Sequence, residues 1–152
     1  MIQKNRFGLF TILVLSLLSS SLLTSCSGKA ASTTREGGVA MASMDGMPAE
    51  VKSAPPAVQG AYQFAVANPD VLKQIPCYCG CGKMGHTSNY SCYVQNVDEN
   101  GKVVYDTHAL GCSICVDITQ DTMRYLKQGK TVADIKSIVD QTYSQYGPSN
   151  IP

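Results

Sequence analysis

A small, mostly helical α+β domain is what the sequence predicts for residues 57–152, and three observations predict it. Apolar residues recur at helical spacing before Pro76 and again after Cys112. Between them, β-prone runs flank an Asn-Gly turn signal. Six of the seven cysteines fall between Cys77 and Cys115, too many sulfurs in too short a stretch for an ordinary apolar core. The expected order is an N-terminal helix, a cysteine-rich loop, a short β-hairpin and a C-terminal pair of helices.

Val58, Ala61, Tyr62, Ala65 and Val66 share one helical face, so the first helix begins near Pro56 and ends at Asn68. Asn68-Pro69-Asp70 then reads as a cap followed by proline in the first helical position, restarting a short helix that stops before Pro76. From Cys77 to Gly85, Gly80, Gly82 and Gly85 alternate with sulfur-bearing residues, which predicts a loop able to fold closely around an ion. Tyr93-Val94 and Val103-Val104-Tyr105 flank Asp98-Glu99-Asn100-Gly101, a hairpin that carries Cys92 near its first strand and His108 just after its second. Cys115, Ile118, Thr122, Tyr125 and Leu126 trace the next helix, which ends at Gly129. Thr131-Val132-Ala133-Asp134 has capping-box spacing. Ile135, Ile138, Val139, Thr142, Tyr143 and Tyr146 continue as a stripe stopped by Gly147-Pro148.

Upstream of the domain the reading changes. Lys4 and Arg6, the apolar run Phe7 to Leu23, and Leu23-Thr24-Ser25-Cys26 describe a secretory signal over residues 1–25. The cysteine after Leu-Thr-Ser resembles the lipobox of bacterial lipoproteins, which implies cleavage and acylation (diacylglyceryl, palmitate-type chains) at Cys26. The competing reading is an uncleaved anchor, for which the run is at the short end of the roughly 17–25 residues that span a bilayer. Residues 26–56 are rich in Ser, Ala, Gly, Thr and Met and are expected to be a flexible tether. Within it Met41, Met44 and Met47 recur every third residue. They are soft thioether donors suited to copper(I), or simply drift in a linker. A formal net charge of +1 gives no electrostatic case for nucleic acid as a partner. The expected partners are a membrane, through the lipid at Cys26, a metal ion, and another extracytoplasmic metal or redox protein. The expected place is the bacterial cell envelope, on the extracytoplasmic face.

With Cys26 assigned to lipid, six cysteines remain for a domain too small to be robust on apolar burial alone. Cys77, Cys79 and Cys81 recur every second residue, so an extended backbone would aim all three sulfurs to one side. Three converging thiolates repel unless a cation neutralises them or oxidation removes charge. Cys112-Ser113-Ile114-Cys115 lies at a predicted helix start, where free amides favour a thiolate; the spacing suits a redox couple or two ligands of one ion. His86 and His108, the only two histidines, complete a set of eight donors for soft or borderline ions. Cys77, Cys79, Cys81, Cys92, Cys112, Cys115, His86 and His108 are therefore the candidate metal ligands. Copper(I) is favoured by the soft donor count, zinc by the Cys/His mixture. No Ser-His-Asp order, phosphate loop or zinc-protease helix is present, so hydrolysis is unsupported and no catalytic residue is assigned.

Two resemblances bear on this. The run from Cys112-Ser113-Ile114-Cys115 through Leu126-Lys127-Gln128-Gly129-Lys130-Thr131 to Ile135 and Tyr146-Gly147 resembles the thiol-reductase subunits of bacterial cytochrome c maturation. It departs from them in a shorter gap between Cys115 and Gly129. Pro76-Cys77-Tyr78-Cys79-Gly80-Cys81-Gly82, followed by His86, Ser91-Cys92, Gly101, Tyr105-Asp106, His108 and Cys112-x-x-Cys115, resembles the bacterial lipoprotein family named for its PCYCGC motif. That resemblance implies a single extracytoplasmic unit and names no reaction. Three functions stay open: a lipid-anchored metal-binding protein for storage, delivery or structural stabilisation; a thiol-disulfide oxidoreductase acting through Cys112 and Cys115; and a binding module braced by three disulfides.

Overall fold

The computed structural model describes residues 33–36 and 38–151. Residues 1–25, read above as a signal, and the lipidation candidate Cys26 lie outside the described residues. In chain order the elements are strands β1 (Thr33–Glu36) and β2 (Val39–Ala42), helices α1 (Ala49–Lys52), α2 (Pro56–Ala67) and α3 (Pro69–Leu72), strands β3 (Val94–Val97) and β4 (Val103–Tyr105), and helices α4 (Ser113–Lys127) and α5 (Val132–Tyr143). Single turns of 3-10 helix sit at Cys81–Met84, Tyr90–Cys92, His108–Leu110 and Ser144–Tyr146. The fold is a small, mostly helical α+β one, with the helix, loop, hairpin and helix-pair order read from the sequence.

β1 and β2 pair antiparallel with Thr33 opposite Ala42, and this hairpin corrects the expectation of a tether running to residue 56. Val39, Met41, Ala42, Met47 and Val51 belong to the hydrophobic core. Two side chains of α2 fasten β2, Gln63 donating to the Ala42 carbonyl at 2.9 Å and Asn68 to the Ala40 carbonyl at 2.8 Å. The segment folds because its few apolar groups, two of them methionines that adapt to irregular gaps, all join the core to which α2 and α4 contribute. Composition averaged over the stretch hid that.

α2 starts at proline, whose missing N–H costs nothing in the first turn, and buries Ala61, Tyr62, Phe64 and Ala65 against α4. α4 answers with Cys115, Val116, Ile118, Thr119, Thr122 and Met123. Gly129, at φ 78°, turns the chain back. Thr131 then opens α5 with the capping box expected: its hydroxyl accepts from the Asp134 amide, and the Asp134 carboxylate accepts from the Thr131 amide. α5 packs Ile135, Val139 and Tyr143 inward. The second hairpin turns where Gly101 takes φ 77° and the Asp98 carboxylate accepts from the Asn100 and Lys102 amides at 2.9 and 2.8 Å. No helix of the described residues is long and apolar enough to cross a membrane.

A candidate metal centre of six thiols and two imidazoles

The loop that follows Ile75 holds three of the six sulfurs. Cys77, Cys79 and Cys81 converge, though not along an extended strand: Gly80 sits at φ 83°, a conformation costly for other residues, and the chain passes directly into the 3-10 turn at Cys81. That kink corrects the every-second-residue argument, since a left-handed turn gathers the sulfurs where a straight strand was expected to. Two anchors hold the loop. The Tyr78 hydroxyl donates to Asp140 of α5 at 2.7 Å, a bond that together with burial pushes the phenol up to about 12. On the other side the C-terminal residues cross over it. The Asn150 side-chain carbonyl accepts from the Cys77 amide at 2.7 Å, its amide group donates to the Ser88 carbonyl at 3.1 Å and to the Cys81 sulfur at 3.4 Å, and its backbone N–H donates to the Cys77 carbonyl at 3.2 Å. The crossing is so close that a Cβ on Gly147 would meet the Tyr78 carbonyl oxygen at 2.8 Å.

The remaining donors come from three other places. Cys92 ends a 3-10 turn and leads straight into Tyr93, which is fully buried. The Tyr93 hydroxyl donates to the Cys115 carbonyl at 2.8 Å, Asn89 donates to the same carbonyl at 3.2 Å, and the Thr119 hydroxyl donates to the Asn89 side-chain oxygen at 2.6 Å. This buried network locks the first turn of α4 against the segment that carries Cys92, and so sets Cys115 beside it. The hairpin returns the chain: the Asp106 amide donates to the Tyr93 carbonyl at 2.9 Å. The Asp106 carboxylate then accepts from the His108 amide at 2.7 Å and lies 3.4 Å from His86 Nε2. The two imidazoles meet edge to face with centroids 5.2 Å apart.

All eight expected ligands come together. Cys115 Sγ is 3.2 Å from Cys92, 3.3 Å from Cys77 and 3.5 Å from Cys79; Cys77 and Cys79 are 3.4 Å apart, and Cys81 and Cys92 are 3.8 Å apart. His108 Nε2 lies 3.4 Å from Cys79 Sγ. Two four-donor groups have all their ligand atoms within 4.8 Å of one another: Cys79, His108, Cys112 and Cys115, and Cys81, His86, Cys92 and His108. A tetrahedral ion with metal–sulfur bonds of about 2.3 Å and a metal–nitrogen bond of about 2.0–2.1 Å sets its sulfurs about 3.8 Å apart and sulfur from nitrogen about 3.6 Å. The observed separations are near those values. They are far from the roughly 2.05 Å of a disulfide, and all six cysteines are free. The backbone brings the sulfurs into one group with several neighbours each, with no disulfide among the described residues.

The charges divide along the chain. The loop thiols are pulled down: Cys79 to about 4, by hydrogen bonding from Cys92 and then His108; Cys77 to about 7, by hydrogen bonding from Cys115; and Cys81 below the ordinary range, with Cys115 again the main cause. Cys92 and Cys115, their partners, are pushed up, and burial raises Cys112. Neighbouring sulfurs thus favour the charged form at the loop positions, and a cation among them would favour it more strongly. The rise at Cys112 corrects the expectation of a thiolate favoured by the helix start, because desolvation outweighs the amides there. Nor do Cys112 and Cys115 form a pair apart, since Cys115 has three other sulfurs as close neighbours.

Four positioning residues went unread in the sequence: Asn89, Tyr93, Asp106 and Asn150. Asp106 carried a signal, an acidic residue two before a candidate ligand in Asp106-Thr107-His108. Asn150 carried none, being far from every cysteine in the chain. Met84 is 57 % exposed, and Met41 and Met47 are core residues, so the thioethers of the N-terminal segment serve packing. A family model described as "Protein of unknown function with PCYCGC motif" matches residues 14–152. No curated protein and no solved structure matches, so the partial resemblance to cytochrome c maturation subunits gains no support.

Proposed function

This chain belongs to the PCYCGC-motif family of proteins of unknown function, and we propose that it is a lipid-anchored protein of the bacterial cell envelope that holds a soft or borderline metal ion, copper(I) or zinc. Cys77, Cys79, Cys81, Cys92, Cys112, Cys115, His86 and His108 are the ligands. Its role is to store the ion, deliver it to another extracytoplasmic metal or redox protein, or use it to brace the fold. Acylation at Cys26 supplies the attachment to the membrane.

One observation carries the metal reading. His86 is nine-tenths buried, its Nε2 faces Asp106, and its Nδ1 is buried with no hydrogen-bond partner among the described residues. A polar atom left in that state costs about 1–3 kcal/mol. His86 belongs to the four-donor group formed with Cys81, Cys92 and His108. With Nε2 protonated toward the carboxylate, Nδ1 keeps its lone pair for an ion, the carboxylate–histidine–metal arrangement that fixes ring orientation and raises ligand basicity. Exchange is favoured from one side: Cys77, Cys81, Cys92 and Cys115 are buried, whereas Cys79, Cys112 and His108 are partly open.

The test is to purify the full chain anaerobically in detergent from cells that export it, without chelator, and to count metal and free thiols in the same sample. Bound metal with unpaired thiols is the expected result. A metal-free protein that takes up neither zinc nor copper(I) on reconstitution under reducing conditions overturns the proposal.

A further inference from the structure

We infer that the centre is built for two ions, held in adjoining sites that divide all eight donors between them, Cys79, Cys112, Cys115 and His108 around one and Cys77, Cys81, Cys92 and His86 around the other. The inference rests on the metal-binding reading above and adds its stoichiometry and ligand assignment. A tetrahedral ion takes four ligands, so one ion leaves four donors of this cluster unused. Those four include at least two buried sulfurs, whichever of the two four-donor groups the ion takes, because Cys77, Cys81, Cys92 and Cys115 are all buried. Burying unpaired thiolate charge is costly. Two divalent ions leave a single negative charge at each site, where one ion would leave four on the whole.

The assignment follows from the distances. The two four-donor groups both include His108, and a neutral imidazole bound through one nitrogen serves one ion. His108 Nε2 lies 3.4 Å from Cys79 Sγ, which assigns it to the group with Cys79, Cys112 and Cys115. The other group is then left with Cys81, Cys92 and His86 and lacks a fourth donor. Cys77 belongs to neither four-donor group; its sulfur shares one three-sulfur group with Cys79 and Cys81 and another with Cys92 and Cys115, so it borders both sites, and the second is the one short of a donor. Cys77 completes the second site. Each ion then has three thiolates and one imidazole, a ligand set of closed structural zinc sites. Sulfurs of the two sites touch, at 3.3 Å for Cys77 and Cys115, 3.2 Å for Cys92 and Cys115, and 3.4 Å for Cys77 and Cys79, so the ions are neighbours.

The test titrates the metal-stripped, fully reduced full chain with zinc alone and counts bound ions by native mass spectrometry, beside the Cys112→Ser and Cys81→Ser variants. The wild type is expected to reach two zinc ions per chain and each variant one. A plateau at one ion in the wild type, or at three or more, overturns the two-site inference and leaves metal binding standing; no zinc uptake overturns this inference, and a parallel copper(I) titration then decides whether metal binding survives. Since either variant could lose both ions by unfolding, the wild type loaded with cadmium-113 gives an independent readout. Two resonances, each of three-sulfur, one-nitrogen character, are expected. One resonance, or a four-sulfur site beside a two-sulfur, two-nitrogen site, overturns the assignment.

Discussion

Asp106 touches no sulfur, yet its carboxylate faces His86 with one oxygen and accepts from the His108 backbone with the other. Asp106→Asn retains the shape and loses the charge that favours a ligating imidazole, so metal affinity is expected to fall by about 10–100-fold with the stoichiometry unchanged; competition against a chelator of known strength measures it. Asn150 acts on the opposite side. Asn150→Ala removes the acceptor of the buried Cys77 amide along with the donors to Ser88 and Cys81, and an orphaned buried group costs about 1–3 kcal/mol. Denaturant unfolding of the reduced, metal-free chain should show a loss of that size, and the loaded variant should release metal to a chelator faster than the wild type. Equal stability and equal release rates would mean that the C-terminal crossing is incidental to the loop.

At the scale of elements, α5 is the part whose start was most readable, and its cap also gives a pH dependence. The Asp134 carboxyl is held below its ordinary value, chiefly by the Thr131 hydroxyl and then by the Thr131 amide. A depressed folded value means that the carboxylate contributes stability above the ordinary range of the group, and that the contribution is lost as the pH falls through the folded value. Thr131→Ala is expected to lower the melting temperature by roughly 4–8 °C at neutral pH. The gap between variant and wild type should narrow in acid, as thermal melts across pH would show. β1 and β2 teach a different lesson. Met41 and Met47 are 6 % and 4 % exposed, against 57 % for Met84. Limited treatment with hydrogen peroxide, followed by peptide mass spectrometry, is therefore expected to oxidise Met84 well before Met41 or Met47. Equal rates would show that this hairpin does not stay packed on α2.

On the scale of the whole molecule, the described residues make one compact unit whose interior is partly apolar and partly sulfur. Tyr62, Phe64, Ile118, Ile135 and Val139 are fully buried, and so are Cys77, Cys92 and Cys115. The sulfurs of the centre come from separate stretches of chain that only folding brings together, so loading and folding should be linked. An ion that binds only the folded state stabilises it by about 2.7 kcal/mol at a hundredfold excess over its dissociation constant. The melting temperature of the reduced chain should therefore rise with added zinc and fall again with chelator.

The sequence by itself determined helices α2 to α5, the second hairpin and the crowding of six cysteines and two histidines, because each leaves a local mark: apolar residues at helical spacing, Asn-Gly at a turn, a capping box at Thr131, and the cysteines and histidines themselves. Tertiary structure alone decided how those side chains are grouped. Whether Cys115 lies beside Cys112 only or also beside Cys77 and Cys92, whether the Met41 segment hangs free or packs on α2, and whether Asn150 reaches the loop at Cys77 all depend on contacts between residues far apart in the chain. Such contacts are fixed by which buried polar groups find partners once the elements pack, and a chain read one stretch at a time carries no trace of that.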